Sequence, residues 1–229
     1  MGFSSGSSII LMGIIGVVGY IVQARLQSVF AKYSQVPFPN GMTGAEVAEK
    51  MLRDNGIYDV KVVSTRGHLT DHYNPSTRTV NLSESVYGSN SVAAAAVAAH
   101  ECGHAVQHAC GYAPLRLRSA LVPIVQVSSS LSTWVILIGI VMLNSFPALF
   151  WLGIAMVAAS ALFSIITLPV EYNASQRALA WLTESGTLMA GEEQGAEVSL
   201  RWAARTYLVA ALSAIATLIY YLGFARNND

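Results

Sequence analysis

Cysteine is nearly absent from this chain: Cys102 and Cys110 are the two thiols among 229 residues. A closed structural zinc site built on four thiolates is thereby excluded. The pair cannot form a disulfide within one helix either. Their spacing corresponds to about 12 Å along a helix axis, whereas a disulfide needs Cα atoms within about 7 Å, so they imply no oxidising compartment and read as packing. Charge is scarce as well. Only 11% of the residues are Asp, Glu, Lys or Arg while 53% are apolar, against roughly 25% charged in an ordinary soluble domain. Acidic and basic residues balance at 13 each, and no basic stripe with interleaved aromatics occurs, so nucleic acid is not an expected partner. Internal repeats and low-complexity segments are lacking. No Lys or Arg precedes the first apolar run, so the basic leader of a cleaved signal peptide is missing and a retained transmembrane helix is expected there.

Long uncharged runs are what the chain does have. Residues 1–24 carry no charge, with Ile9 to Val22 almost entirely apolar. Ser119 to Val170 is 52 residues without a charge, enough for two spans of ~20 residues each. These are drawn at about 120–143 and 148–168, with Asn144-Ser145-Phe146-Pro147 as the turn. Thr206 to Ala225 supplies a fourth span. Four spans put both ends of the chain on one side of the membrane and both polar regions on the other. Arg25, Lys32, Arg116, Arg118, Arg177, Arg201 and Arg205 flank the spans on the side of the polar regions, against Arg226 on the other. Positive charge stays inside, so the polar regions are expected to face the cytoplasm.

The first polar region, about 23–91, has soluble character. Thr43-Gly44-Ala45-Glu46 reads as a capping box opening a helix to about Asn55, with Val47, Met51 and Leu52 inward and Gly56 as the stop. Asp59–Ser64 and Arg78–Leu82 read as strands of a hairpin, with Asn74-Pro75-Ser76-Thr77 as turn chemistry between them. Such strands could capture an extended peptide as one more strand, or simply cover the next helix.

That next helix carries the chemistry. Val92 to Ala109 is alanine-rich and unbroken up to Gly111 and Pro114, and it contains His100-Glu101-Cys102-Gly103-His104. With this chain's 5 His the pattern arises by chance only about 0.004 times. Histidines four apart share a helix face, so His100 and His104 can bind one zinc ion while Glu101 takes a proton from the attacking water. Cys102 lies about 200° round the helix from His100 and should point away. A catalytic zinc takes three protein ligands. His108 is on the same face but about 12 Å from His100 along the axis, too far to share the ion, and is expected near the site mouth. Glu171 is the better-placed third ligand. It is the first charge after the long neutral run, just past Pro169, where an unpaired buried carboxylate would be costly; the alternative is an ordinary acid in the first turn of a helix. Ser175, one turn on, or Asn173 could hold the second ring nitrogen of a ligating histidine. Arg177 could stabilise an oxyanion or a substrate carboxylate, or sit among lipid headgroups. His68 and His72, in a stretch without regular pattern, are solvated residues or oxyanion donors, His72 being the candidate retained. Glu192, Glu193 and Glu197 read as a solvated helix face.

Beyond the residues taken singly, Leu-Pro-Val followed by Glu171-Tyr172-Asn173-Ala174-Ser175-Gln176-Arg177-Ala178-Leu179, the stretch Ala98 to His108, and Gly111-Tyr112-Ala113-Pro114-Leu115-Arg116-Leu117-Arg118-Ser119 resemble the YugP-type neutral zinc metallopeptidases of bacterial membranes. Thr43–Ala48 and Leu69–Tyr73 extend the likeness over nearly the whole chain. More distantly, the motif with a downstream Glu is similar to the HtpX-like membrane proteases and the wider gluzincin group. The resemblance implies a zinc endopeptidase with His100, His104 and Glu171 as ligands of one zinc ion, Glu101 as base, and the site at the cytoplasmic membrane face. The family commonly has an acid where this chain has Asn74 and Asn173, so no charged group is expected beside the ligands at 173.

The expected fold is mainly α: a multi-span membrane protein of about four transmembrane helices, with a small α+β cytoplasmic cap and a zincin-like active-site helix. Its expected divisions are an N-terminal span (1–24), the cap (25–91), the active-site helix (92–118), two spans (119–168), a helical segment carrying the third ligand (169–205), and a last span with its tail (206–229). The expected function is hydrolysis of peptide bonds in peptides or membrane proteins at the bilayer surface, with a membrane partner that regulates the enzyme or presents substrate. A non-catalytic membrane scaffold with a structural zinc is the rival class, though four closed ligands are missing. A protease cutting within a span would want its histidines inside a continuous apolar span.

Overall fold

A computed structural model describes residues 5–67, 69–188 and 193–226; His68 and Glu192 lie outside these. The described chain is mainly helical. Helix α1 is Ser5–Tyr33, α2 Gly44–Asp54, α3 Glu84–Tyr87, α4 Val92–Ala109, α5 Ala113–Val141, α6 Pro147–Glu184 and α7 Glu193–Arg226. Three short strands, β1 (Lys61–Thr65), β2 (His72–Asn74) and β3 (Thr79–Ser83), lie between α2 and α3. Four helices, α1, α5, α6 and α7, are long and apolar enough to cross a membrane. The protein is thus a multi-span helical membrane protein with a small α+β part.

The chain divides into two compact units. One comprises 1–21, 117–168 and 206–229. Its apolar side chains point outward: Ile10, Val17, Val127, Trp134 and Leu152 are all exposed, as suits a surface whose solvent is lipid. Inside it, glycine allows α5 and α6 to touch. A Cβ at Gly139 would lie 2.6 Å from Phe150 Cα and one at Gly153 2.4 Å from Ile136 Cγ1, and Phe150 stacks edge-on against Phe224 at 5.6 Å between ring centres.

The other unit comprises 22–116 and 169–205. Its core is Phe38, Val47, Met51, Leu82, Val86, the alanines of α4, and Ala178, Leu182 and Leu200. Thr43 caps α2 through its side chain and Glu46 reaches back to the Thr43 N–H at 2.8 Å, a capping box worth about 1 kcal/mol. Val47 and Met51, both completely buried, each contribute about 1.5–3 kcal/mol by leaving water. The alanines of α4 let neighbours approach its backbone on several sides, which explains a helix buried along most of its length.

Two expectations need correction. The strands at 59–64 and 78–82 do not form a hairpin with each other: β1 and β3 run parallel, in the sheet order β1-β3-β2. The hairpin is β2–β3, antiparallel with Tyr73 opposite Val80. The turn residues at 74–77 serve that hairpin, since Asn74 Oδ1 accepts from the N–H groups of Ser76 and Thr77, and Arg78 adopts φ +50° to close it. A three-residue strand is too short to show alternation in the sequence. Second, the helix expected at 148–168 does not end before Pro169. Helix α6 continues through it to Glu184, because a proline removes one hydrogen bond that a long helix with packed neighbours tolerates losing.

Candidate metal centre

The α4 motif and the second half of α6 meet within one unit. On α6, Val170, Glu171, Ala174, Ser175, Ala178 and Leu182 are all buried, a stripe repeating every three to four residues that turns one face of the helix inward. Gly103 makes the contact close: an added Cβ would stand 2.6 Å from the carbonyl oxygen of Ala174. Backbones this near let short side chains bridge the helices.

Glu171, 1% exposed, reaches both histidines of the motif. Its Oε2 lies 3.2 Å from His100 Nε2 and 3.6 Å from His104 Nε2. Among the described residues, His100, His104 and Glu171 are the group whose ligand atoms converge, all within 4.8 Å of one another. Four tetrahedral ligands at ~2.0–2.1 Å from a zinc ion stand about 3.3–3.4 Å apart, so the two contacts made by Glu171 match the edges of such a tetrahedron. The donor set, two imidazoles and one carboxylate, suits zinc with a position left over. The surroundings favour a cation too. Burial pushes the His104 imidazole towards its neutral form, yet the Glu171 hydrogen bond and the charges of Glu101 and Glu171 together raise its pKa. The residues present fit the ion.

The outer nitrogens of both rings are held. Ser175 Oγ lies 3.1 Å from His100 Nδ1, and Gln107 Oε1 lies 3.0 Å from His104 Nδ1. Glu101, 8% exposed, accepts a hydrogen bond from the backbone N–H of Tyr73 on β2 at Oε2, 3.0 Å. The Tyr73 hydroxyl meets His108 Nδ1 at 2.7 Å, so β2 is fastened to α4 twice. Asp71, whose carboxylate accepts from the Ser83 N–H at 2.7 Å and from the Ser83 hydroxyl, anchors the segment that leads into β2.

The structure therefore brings together His100, Glu101, His104, Glu171 and Ser175. His108 stays outside the ligand group, exposed and paired with Tyr73. His72 is exposed on β2, its Nδ1 at 2.8 Å from the Thr70 carbonyl; its neighbour Tyr73 is the one that reaches the motif. Arg177 donates from Nε to Asn173 Oδ1 at 2.8 Å and points NH2 towards Cys110 Sγ at 3.7 Å. Asn173 contacts Gln107 rather than a histidine. Cys102 is fully buried with its thiol towards the Ala48 carbonyl, and burial, with the Glu101 charge, pushes its pKa well up, which leaves it an inert packing residue. Tyr73 and Gln107 have no counterpart in the sequence expectations. Gln107 carried a signal: a polar residue in an alanine-rich helix, three places after His104 and so on its face.

A family model described as "Putative neutral zinc metallopeptidase" matches residues 8–226. "Putative membrane protease YugP" of Bacillus subtilis (strain 168) is 42% identical over 211 residues, covering 92% of this chain and 93% of that protein. No solved structure matches.

Proposed function

The chain belongs to this family of neutral zinc metallopeptidases, and from that footing we propose that it is a membrane-bound zinc endopeptidase whose site faces the cytoplasm. The observation that carries the reading is the convergence of His100, His104 and Glu171 beside a buried Glu101. These three would hold the ion through two Nε2 atoms and a carboxylate oxygen. A zinc ion there supplies a Lewis acid that acidifies a water and polarises a carbonyl.

The protein's own residues do the rest. Glu101 accepts the proton of the attacking water and passes it to the leaving amine nitrogen. Its Oε2 is fixed by the Tyr73 N–H, which keeps the carboxylate at one orientation. Ser175 and Gln107 hold the imidazoles in place. Strand β2 is at an edge of the sheet, so an extended peptide lying along it comes next to Glu101. The substrates are accordingly extended segments of peptides or damaged membrane proteins that reach the bilayer surface, delivered or regulated by a membrane partner.

Detergent-purified protein is expected to contain one zinc per chain by elemental analysis and to cut unfolded casein. Full zinc with no cleavage of casein or of any extended membrane-protein substrate would favour the structural-zinc scaffold instead. The cytoplasmic assignment rests on the basic residues Arg25, Lys32, Arg116, Arg118, Arg177, Arg201 and Arg205, against Arg226 beyond the last span. A phosphatase reporter active only outside the cytoplasm, fused after residue 229, should therefore be active; an inactive fusion with a correctly inserted chain would reverse the orientation.

A further inference from the structure

We propose that Gln107 is the positioning residue for His104, its amide locked from behind by Val170 and by the Arg177–Asn173 pair so that only its oxygen can face the imidazole. This rests on the zinc-centre reading and adds to it how one ligand is kept in the binding tautomer.

The chain of contacts has no freedom of direction. The backbone carbonyl of Val170 is an acceptor and nothing else, and one end of the Gln107 amide lies 2.8 Å from it; that end must be the NH2. The same NH2 also lies 3.0 Å from Asn173 Oδ1. Asn173 cannot turn its own amide round to oppose this, because the Arg177 guanidinium, a donor at every pH, holds that Oδ1 through Nε at 2.8 Å. With both NH2 hydrogens committed, the Gln107 oxygen is left for His104 Nδ1, 3.0 Å away. An amide oxygen only accepts, so Nδ1 must carry a hydrogen, and in the neutral imidazole, the form that ligates a metal, the lone pair of His104 then stands on Nε2, on the side of Glu171. In that neutral form two lone-pair atoms, Nε2 and the carboxylate oxygen, face each other across 3.6 Å, an arrangement that suits a metal cation between them. Gln107 is completely buried, so water does not compete for these bonds. His100 has no equivalent lock, since the Ser175 hydroxyl opposite its Nδ1 can either donate or accept.

The Asn173 oxygen thus serves as one acceptor for two donors, Gln107 and Arg177.

The test compares Gln107→Met with Gln107→Glu in the full-length protein in detergent, measuring zinc affinity by competition with a chromophoric chelator and the visible spectrum after cobalt substitution. Methionine keeps the length of the side chain and loses the acceptor, so zinc should bind about 10–100-fold more weakly. Glutamate keeps an acceptor for Nδ1–H and loses the donor to Val170, so its affinity should stay within about 10-fold of wild type even if thermal stability falls. Its cobalt spectrum should match wild type while that of the methionine variant shifts. Asn173→Leu, nearer the surface, tests the far end without altering the core and should weaken zinc by about 10-fold. A methionine variant with wild-type affinity and spectrum, or equal losses in the methionine and glutamate variants, would overturn the positioning role and assign Gln107 to helix packing alone. Wild-type protein that binds no zinc would overturn the metal centre itself, a result distinct from either.

Discussion

Glu101→Gln should lower casein cleavage by about 10²–10⁴-fold, the usual contribution of a positioned general base, and leave one zinc per chain. The amide is the same size as the carboxylate, and its oxygen can still accept from the Tyr73 N–H that holds Glu101 now. What it cannot do is take a proton. Glu101 is also absent from the group of converging ligand atoms, so metal content should be unchanged. Elemental analysis and the cleavage rate, measured on the same preparation, separate the two effects. Loss of zinc together with activity would mean that Glu101 helps hold the ion, and the assignment of base and ligands would have to be redrawn.

Glu171→Ala should do the opposite and remove the metal first. Its carboxylate is the contact between α6 and both imidazoles, at 3.2 and 3.6 Å. Alanine leaves two neutral ligands from one helix, and the charge that draws the cation in is gone. The loss in zinc affinity should exceed the roughly 10–100-fold that follows when an outer residue behind a ligand is removed. Alanine is a good helix former, so α6 should survive, and circular dichroism checks that it does. Glu171→Gln refines the result: a weak neutral oxygen donor remains, so zinc should fall less than with alanine. Stoichiometric zinc in the alanine variant at chelator-limited concentrations would remove Glu171 from the ligand set.

Much of this site was legible in the sequence because its parts are local. His100 and His104 share a helix face by spacing alone, and Val92–Ala109 forms the helix expected of it because alanine dominates and Gly111 follows. Ser175 was placed by the same arithmetic, one turn after Glu171. The four long apolar helices followed from length and missing charge. What escaped was non-local. The parallel pairing of β1 with β3 depends on a strand inserted between chain neighbours, which no periodicity in five residues reveals. Tyr73 acts on Glu101 through its main chain, and a backbone N–H leaves no mark in a list of side chains. Gln107 was visible as a residue and not as a role, because its partners, Val170 and Asn173, are more than sixty positions away. Proline at 169 signalled a stop, and the packing of α6 on both sides of it overrode the signal.

On α6, Glu171 shares one buried face with Ala174, Ala178 and Leu182. Inserting or deleting a single residue between Glu171 and Leu182 would swing the carboxylate by about 100° off that face and shift it by about 1.5 Å along the axis. The spacing along this segment is therefore counted in residues by the chemistry, and side chains on its outer face can be exchanged where residues cannot be added.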